Sequence, residues 1–361
     1  MHTKEQETAL RHTMKVAAVV SVAALTLAAC GGSGSDQPSA SGSSSSSSKK
    51  SDLKVGMAYD VGGRGDQSFN DSAAAGLDKA KSELGVQIKE AAAVNGENEA
   101  AREERLQQLI DAGYTHVVAV GFAYAASVGK AAKANPDVHF AIVDDASPDS
   151  KGPNVDQITF AENEGSFLVG AAAALKSKTG HIGFVGGVNV PLIKKFEAGY
   201  IAGAKAVNPK IKIDSQYLTQ PPDFGGFGDP AKGKTAAEGM YQGGADIVYH
   251  AAGGSGGGVF TAAKAAGKLA IGVDSDQALT APADVRPVIM TSMIKKVDVA
   301  VFDFIKSAAD GKELTGNNVY DLKAGGVDYA TTGGQVDDIK TKLDDYKQQI
   351  IDGKIKVPTT P

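Results

Sequence analysis

The sequence predicts an α/β protein built as two successive doubly wound lobes. Beyond about residue 52, short apolar runs alternate with amphipathic stretches, the pattern of a parallel sheet covered by helices on both faces. Glycines and prolines punctuate the amphipathic stretches where helices should end, as at Gly113, Pro136, Pro209, Gly267 and Gly311. The 309 residues from Leu53 onward suffice for two domains of ordinary size.

In chain order, strands are expected over Leu53 to Tyr59, Val86 to Ala91, His116 to Val120, His139 to Asp144 and Gln157 to Phe160. A second series covers His181 to Val185, Lys212 to Leu218, Asp246 to His250 and Leu269 to Asp274, with Val288 to Ser292 as one more. Helices are expected between them. Over Asn70 to Leu84, residues Ala73, Ala74, Leu77, Ala80 and Leu84 recur at helical spacing, and over Asn98 to Ala112 the residues Leu106, Leu109 and Ile110 share a side. Ligands of doubly wound sheets bind outside the carboxyl ends of the strands. The loops after Tyr59, Val120, Asp144, His250 and Asp274 are therefore where a site is sought.

The start of the chain is different. From Met14, a lysine precedes a 14-residue run of Ala, Val, Leu, Ser and Thr that ends at Leu27-Ala28-Ala29-Cys30. The run is short for a membrane span and resembles a bacterial lipoprotein signal, with Cys30 as the lipidated first residue of the exported protein. Residues 1–29 are read as the signal and 30–52 as a Gly/Ser-rich tether that cannot form a core. Without residues 1–29 the chain carries 34 bases against 40 acids, which argues against nucleic acid as a partner. No cysteine follows Cys30, so disulfides and thiolate metal sites are excluded from the folded part, and no cofactor or metal is expected.

Two motifs point towards enzymes. Gly228 to Thr235 matches the phosphate-loop pattern G-x-x-x-x-G-K-[ST], but a Pro/Gly-rich loop separates it from the preceding strand. Asp229-Pro230 reads instead as a capped helix start. Gly253 to Gly257 matches G-x-S-x-G, yet no histidine follows Ser255, as that class of hydrolase requires. Its glycines suit close backbone approach to a ligand and free helix amides. The carboxylate pairs Asp144-Asp145 and Asp274-Ser275-Asp276 lack the further ligands and bend glycine of a calcium loop.

The segment Asp60 to Asp71 follows the first strand and opens the first helix, and here the sequence resembles the basic membrane lipoprotein family of ABC-transporter substrate-binding proteins, which includes purine nucleoside receptors. The resemblance continues through Val120-Gly121-Phe122, Phe140 to Asp144, Phe184 to Gly187, Phe196 to Tyr200, Phe227 to Lys232, Gly272 to Gln277 and Thr291 to Asp298. It implies a type I periplasmic-binding-protein fold, with two α/β lobes joined by crossing segments around a cleft. The expected lobes are 53–160 with about 288–325, Pro287 marking the return, and 161–287 with about 326–361. The tail helix, Val336 to Ile351, could pack on either.

A nucleoside offers a flat base and a hydroxylated ribose, so its site needs aromatic faces with polar groups at the edges. On the resemblance, Phe69 and Phe227 are expected to sandwich the base, supported by Phe122 and Phe196. Both sandwich residues lie in Gly/Asp-rich loops rather than in apolar runs, whereas Phe196 suits either core or cleft. Asn70, Asp60 and Asp144 are the expected base-edge partners, with Asp66 as a competing helix cap. Asp274 would accept from ribose hydroxyls and pair with Lys295, which donates to the sugar, while the Gly253 backbone approaches it. Lys296 is adjacent, and only one of the two lysines can face the cleft.

The expected function is that of a monomeric, lipid-anchored receptor outside the cytoplasm, delivering a nucleoside to an ABC permease and its cytoplasmic ATPase without chemistry on the ligand. A receptor for another small polar ligand, such as a sugar, and an exported hydrolase using Ser255 are the alternatives.

Overall fold

Among residues 52–361, which the computed structural model describes, the alternation of apolar and amphipathic stretches is realised element by element; Cys30, signal and tether lie outside them. The first series comprises β1 (Lys54–Ala58), α1 (Phe69–Leu84), β2 (Gln87–Ala91), α2 (Glu99–Asp111), β3 (His116–Val120), α3 (Ala125–Ala134), β4 (His139–Val143) and β5 (Val155–Phe160). The second comprises α4 (Glu162–Lys176), β6 (His181–Val188), α5 (Pro191–Val207), β7 (Lys212–Thr219), α6 (Pro230–Gln242), β8 (Ile247–Ala251), α7 (Gly256–Ala266), β9 (Leu269–Asp274), α8 (Gln277–Thr280) and β10 (Ile289–Lys295). The chain ends with α9 (Val297–Ala309), β11 (Gly316–Tyr320), β12 (Val327–Tyr329) and α10 (Lys340–Ile351).

The strands form two sheets, ordered β11-β5-β4-β3-β1-β2 and β12-β10-β9-β8-β6-β7. All pairings are parallel except β10 with β12. Central strands β3 and β8 are buried along their whole length, which is why they read as continuous apolar runs. The edge strands β2 and β7 are polar and partly exposed, which discourages further pairing. Local chemistry sets the helix ends. Asn98 accepts from the amide of Ala101 to cap α2, and Gly85 closes α1 in the left-handed conformation.

The order of the two sheets differs from the expected lobe boundaries. Val288 to Ser292 was expected to begin the return to the first lobe, but β10 pairs with β9 and belongs to the second sheet. Its residues Ile289, Met290 and Met293 are fully buried there, and Pro287 marks a 3-10 turn, not a crossing. The crossing comes after Lys295: α9 packs on α1, with the amide of Asp298 donating to Ser72 Oγ at 3.2 Å, and β11 extends the first sheet beside β5. The chain thus passes between sheets three times, at β5 to α4, β10 to α9 and β11 to β12. Helix α10 packs with the second sheet's helices, its Tyr346 ring 5.5 Å from Phe167 of α4. Helices α4 and α5 approach so closely that a Cβ at Gly203 would collide with the carbonyl of Phe167.

Candidate functional site

In each sheet the strand order reverses at one point, between β1 and β3 and between β6 and β8. Ligands of such sheets bind just outside the carboxyl ends of the strands at that point. The two switch points face one another, and between them lies a cavity lined by residues of both sheets. It holds all nine residues singled out from the sequence: Asp60, Phe69, Asn70, Phe122, Asp144, Phe227, Gly253, Asp274 and Lys295.

The first wall is the loop from β1 to α1. Asp66 is its organiser: its carboxylate accepts from the amides of Ser68, Asn70 and Asp71 at 2.9, 2.9 and 3.0 Å, tying down the free N–H groups of α1. Asn70 braces the same loop. Its side-chain oxygen accepts from the amide of Asp60 at 3.0 Å and its nitrogen donates to Asp66 at 3.1 Å. Asp60 accepts from the amide of Val61 at 2.7 Å. Burial raises its pKa to about 7, against that hydrogen bond.

The carboxylates at the ends of β4 and β9 are held in an unusual way. Asp144 and Asp274 have φ of 70° and 63°, and with Gln67 they are the non-glycine residues of positive φ among those described. The left-handed conformation costs a non-glycine residue free energy, less for Asp than for most, and such strain concentrates where a side chain must be aimed. Both carboxylates face the cavity.

Lys295, the last residue of β10, is 1% exposed and lies beneath the aromatic walls, its Nζ 5.0 Å from the rings of Phe69 and Phe160 and 5.5 Å from that of Phe196. Lys296 is partly exposed outside the cavity lining. The expected Asp274–Lys295 pair is not formed. Lys295 Nζ donates to Asp144 Oδ2 at 2.6 Å and stands 3.4 Å from Glu162 Oε1, because β10 and α4 both lie at crossings where the ends of β4 and β5 converge. Burial opposes the Lys295 charge, but Asp144, Glu162 and Asp274 outweigh it and its pKa is raised. Asp144 is raised by burial against the attraction of Lys295. Asp144 Oδ1 is buried without a hydrogen-bond partner.

Asp274 instead joins the lobes. Ser68 Oγ donates to its Oδ2 at 2.6 Å across the cleft, and burial raises Asp274 to about 7 against Lys295 and this hydrogen bond. Further links close the same edge. Ser275 Oγ donates to the Ser68 carbonyl at 3.2 Å, and Gln277 Nε2 to that of Gln67 at 3.1 Å.

Among the aromatic residues, Phe122 stands nearly edge-on to Phe227, with centroids 6.5 Å apart at 74°, and to Phe224 at 5.6 Å and 89°. Phe196 is both core and wall: it is 3% exposed and lines the cavity. Sequence reasoning missed Ser68, Glu162 and Gln277, whose roles need partners distant in the chain. Gln277 carried a signal in its run after Asp274, while Glu162 reads in sequence as an ordinary acidic helix start.

The two enzyme-like motifs resolve into structure. Asp229 accepts from the amide of Lys232 at 3.0 Å, Pro230 opens α6, and Lys234 faces Glu238 on the exposed side of that helix. Ser255 Oγ is fully buried, donating to the Gly226 carbonyl at 2.7 Å and accepting from the amide of Asp229 at 2.8 Å. His250 turns away to Gln277, and burial lowers its pKa to about 4.

Two doubly wound lobes joined by three crossings around a cleft lined from both sides define a bilobed ligand-binding protein. The chain belongs to the Bmp family, described as ABC transporter substrate-binding protein PnrA-like, which matches residues 53–361. It is 39% identical to the ABC transporter nucleoside-binding protein BmpA of Lactococcus lactis, over 86% of this chain and 90% of that one. It is 37% identical to the CD4+ T-cell-stimulating antigen of Listeria monocytogenes, over 95% and 97%. Among solved structures, an ABC transporter solute-binding protein from Aeropyrum pernix superimposes with a TM-score of 0.74 at 31% identity, covering 85% of this chain and 93% of that one. The chain is accordingly an ABC transporter substrate-binding protein with a type I periplasmic-binding-protein-like fold.

Proposed function

We propose that this protein is a lipid-anchored receptor outside the cytoplasm that captures a nucleoside, a purine nucleoside by preference, and delivers it to a membrane permease driven by a cytoplasmic ATPase. The observation that carries the reading is the unpartnered, buried Asp144 Oδ1 in a cavity walled by Phe69, Phe122 and Phe227. A buried acceptor without a partner costs free energy that a ligand N–H or O–H recovers, and aromatic faces suit a base. Asp60 and Asp274, both near pKa 7, can accept from or donate to base and ribose. The naming of the Lactococcus lactis relative as nucleoside-binding supports the same ligand class. Asp60, Phe69, Asn70, Phe122, Asp144, Phe227, Gly253, Asp274 and Lys295 are the proposed contacts.

Binding favours the closed lobes because the second lobe adds contacts only when closed. Thermal-shift and calorimetric titration of the protein with nucleosides, free bases, ribose and amino acids tests this. A nucleoside at about 100 times its dissociation constant adds roughly 2.7 kcal/mol of stability. Phe69→Ala should weaken it by about 1–3 kcal/mol, the worth of one stacked base. Response to ribose or amino acids but to no nucleoside overturns the ligand class, and full nucleoside affinity in both Phe69→Ala and Asp274→Asn overturns the contacts.

A further inference from the structure

At the opposite end of the first sheet from the cleft, strands β3 and β4 begin with His116 and His139, paired in register. Their imidazoles stack, with centroids 5.2 Å apart and planes at 12°. Over them lies Glu313, from the segment that carries the chain from α9 into β11. Its Oε1 is 3.2 Å from His116 Nε2 and its Oε2 is 3.8 Å from His139 Nδ1. The three donor atoms lie within 4.8 Å of one another. His139 Nδ1 is buried and has no hydrogen-bond partner.

We propose that His116, His139 and Glu313 form a binding site for a divalent transition-metal ion of the zinc type. Zinc is held by imidazole nitrogen and carboxylate oxygen at about 2.0–2.2 Å, so neighbouring ligand atoms in its tetrahedron stand about 3.3 Å apart. The nitrogen-to-carboxylate separations bracket that spacing, and small side-chain rotations complete the geometry. The outer arrangement also fits. Thr115 Oγ1 lies 3.0 Å from His116 Nδ1, and an Nδ1–H donated to it leaves the Nε2 lone pair facing Glu313. The packed neighbour is apolar: the Phe304 ring of α9 is 6.1 Å from His116. Magnesium, a hard ion that prefers oxygen ligands, does not suit this set.

The site would clip the first two central strands to the segment returning from the second lobe. Strands β3 and β4 are five residues long, so roughly 16 Å of sheet separates it from the cleft, and ligand binding does not depend on it.

The test is titration of the chelator-stripped, untagged full chain with zinc chloride, followed calorimetrically and by competition with a chromophoric chelator. Expected are one zinc ion bound by this cluster, no heat with magnesium chloride, and anomalous scattering at the zinc edge between His116, His139 and Glu313. Glu313→Gln, a change at a partly exposed side chain, should weaken zinc at least tenfold, and His139→Ala should abolish this binding. Both variants should keep the wild-type fold by circular dichroism and the wild-type response to nucleosides. Zinc binding that is undetectable in the wild type, or that persists unchanged in both variants through other histidines, overturns the proposal. Neither result bears on the cleft.

Discussion

Replacing Lys295 by methionine removes the buried cation between Asp144 and Glu162, leaving Glu162 its partly exposed partner Lys195 and Asp144 no direct one. The side chains of Lys295, Asp144 and Glu162 are 1%, 5% and 1% exposed, with Nζ 2.6 Å from Asp144 and 3.4 Å from Glu162. Methionine fills similar volume, so the loss is electrostatic rather than a cavity. Breaking a buried ion pair from one side costs about 3–5 kcal/mol, because the remaining charge is left uncompensated. At about 2 °C per kcal/mol for a chain of this size, the melting temperature should fall by roughly 6–10 °C at pH 8. The pH dependence identifies the cause. Without the lysine, Asp144, raised by burial, keeps a folded-state pKa above its unfolded one with no cation opposing it, so the folded state gains from its protonation. That stability is present at low pH and is lost as pH rises through the folded pKa. The deficit of Lys295→Met should therefore shrink at pH 5 and grow at pH 8, and Lys295→Met/Asp144→Asn should recover part of it. Urea unfolding of the wild type and both variants at the two pH values is the assay. Equal stability of Lys295→Met and wild type at pH 8, or a deficit that does not change with pH, would refute the reasoning.

Burial raises Asp274 to about 7, so without ligand its contribution to stability is greatest in acid and falls as pH rises from about 4 to about 7. The difference in unfolding free energy between wild type and Asp274→Asn should decline by up to about 1.4 kcal/mol per pH unit across that window, and a difference that rises with pH in urea titrations would contradict the assigned direction. If Cys30 carries the proposed lipid anchor, Cys30→Ser in the full chain should move the protein from the membrane fraction to the medium or soluble extracytoplasmic fraction, and unchanged membrane retention on fractionation would refute the anchor.

Much of the fold was legible because its signals are local. β3 and β9 run over the very residues that their apolar patterns predict, and Asp229-Pro230 opens α6 as its capping chemistry requires. The strands β11 and β12 were not legible. Each is short, β11 opening on Gly316-Asn317-Asn318 and β12 only three residues long, and each is a strand only because an existing sheet edge offers it partners. The same holds for lobe membership: β10 looks alike in either lobe, and only its pairing with β9, which buries Met290 and Met293 in the second sheet, decides it.

The sequence by itself determined the alternating architecture, the loops where a site could lie and the residue types it would hold, since strand ends, caps and loop composition are written locally. Only the tertiary structure decided which charge faces which. Lys295 meets Asp144 and Glu162, Asp274 meets Ser68, and the hydroxyl of Ser255 is consumed in holding a loop. These partners are brought together by the three crossings and the facing switch points, and Coulomb and hydrogen-bond energies depend on distance through space, which the order of residues along the chain does not fix.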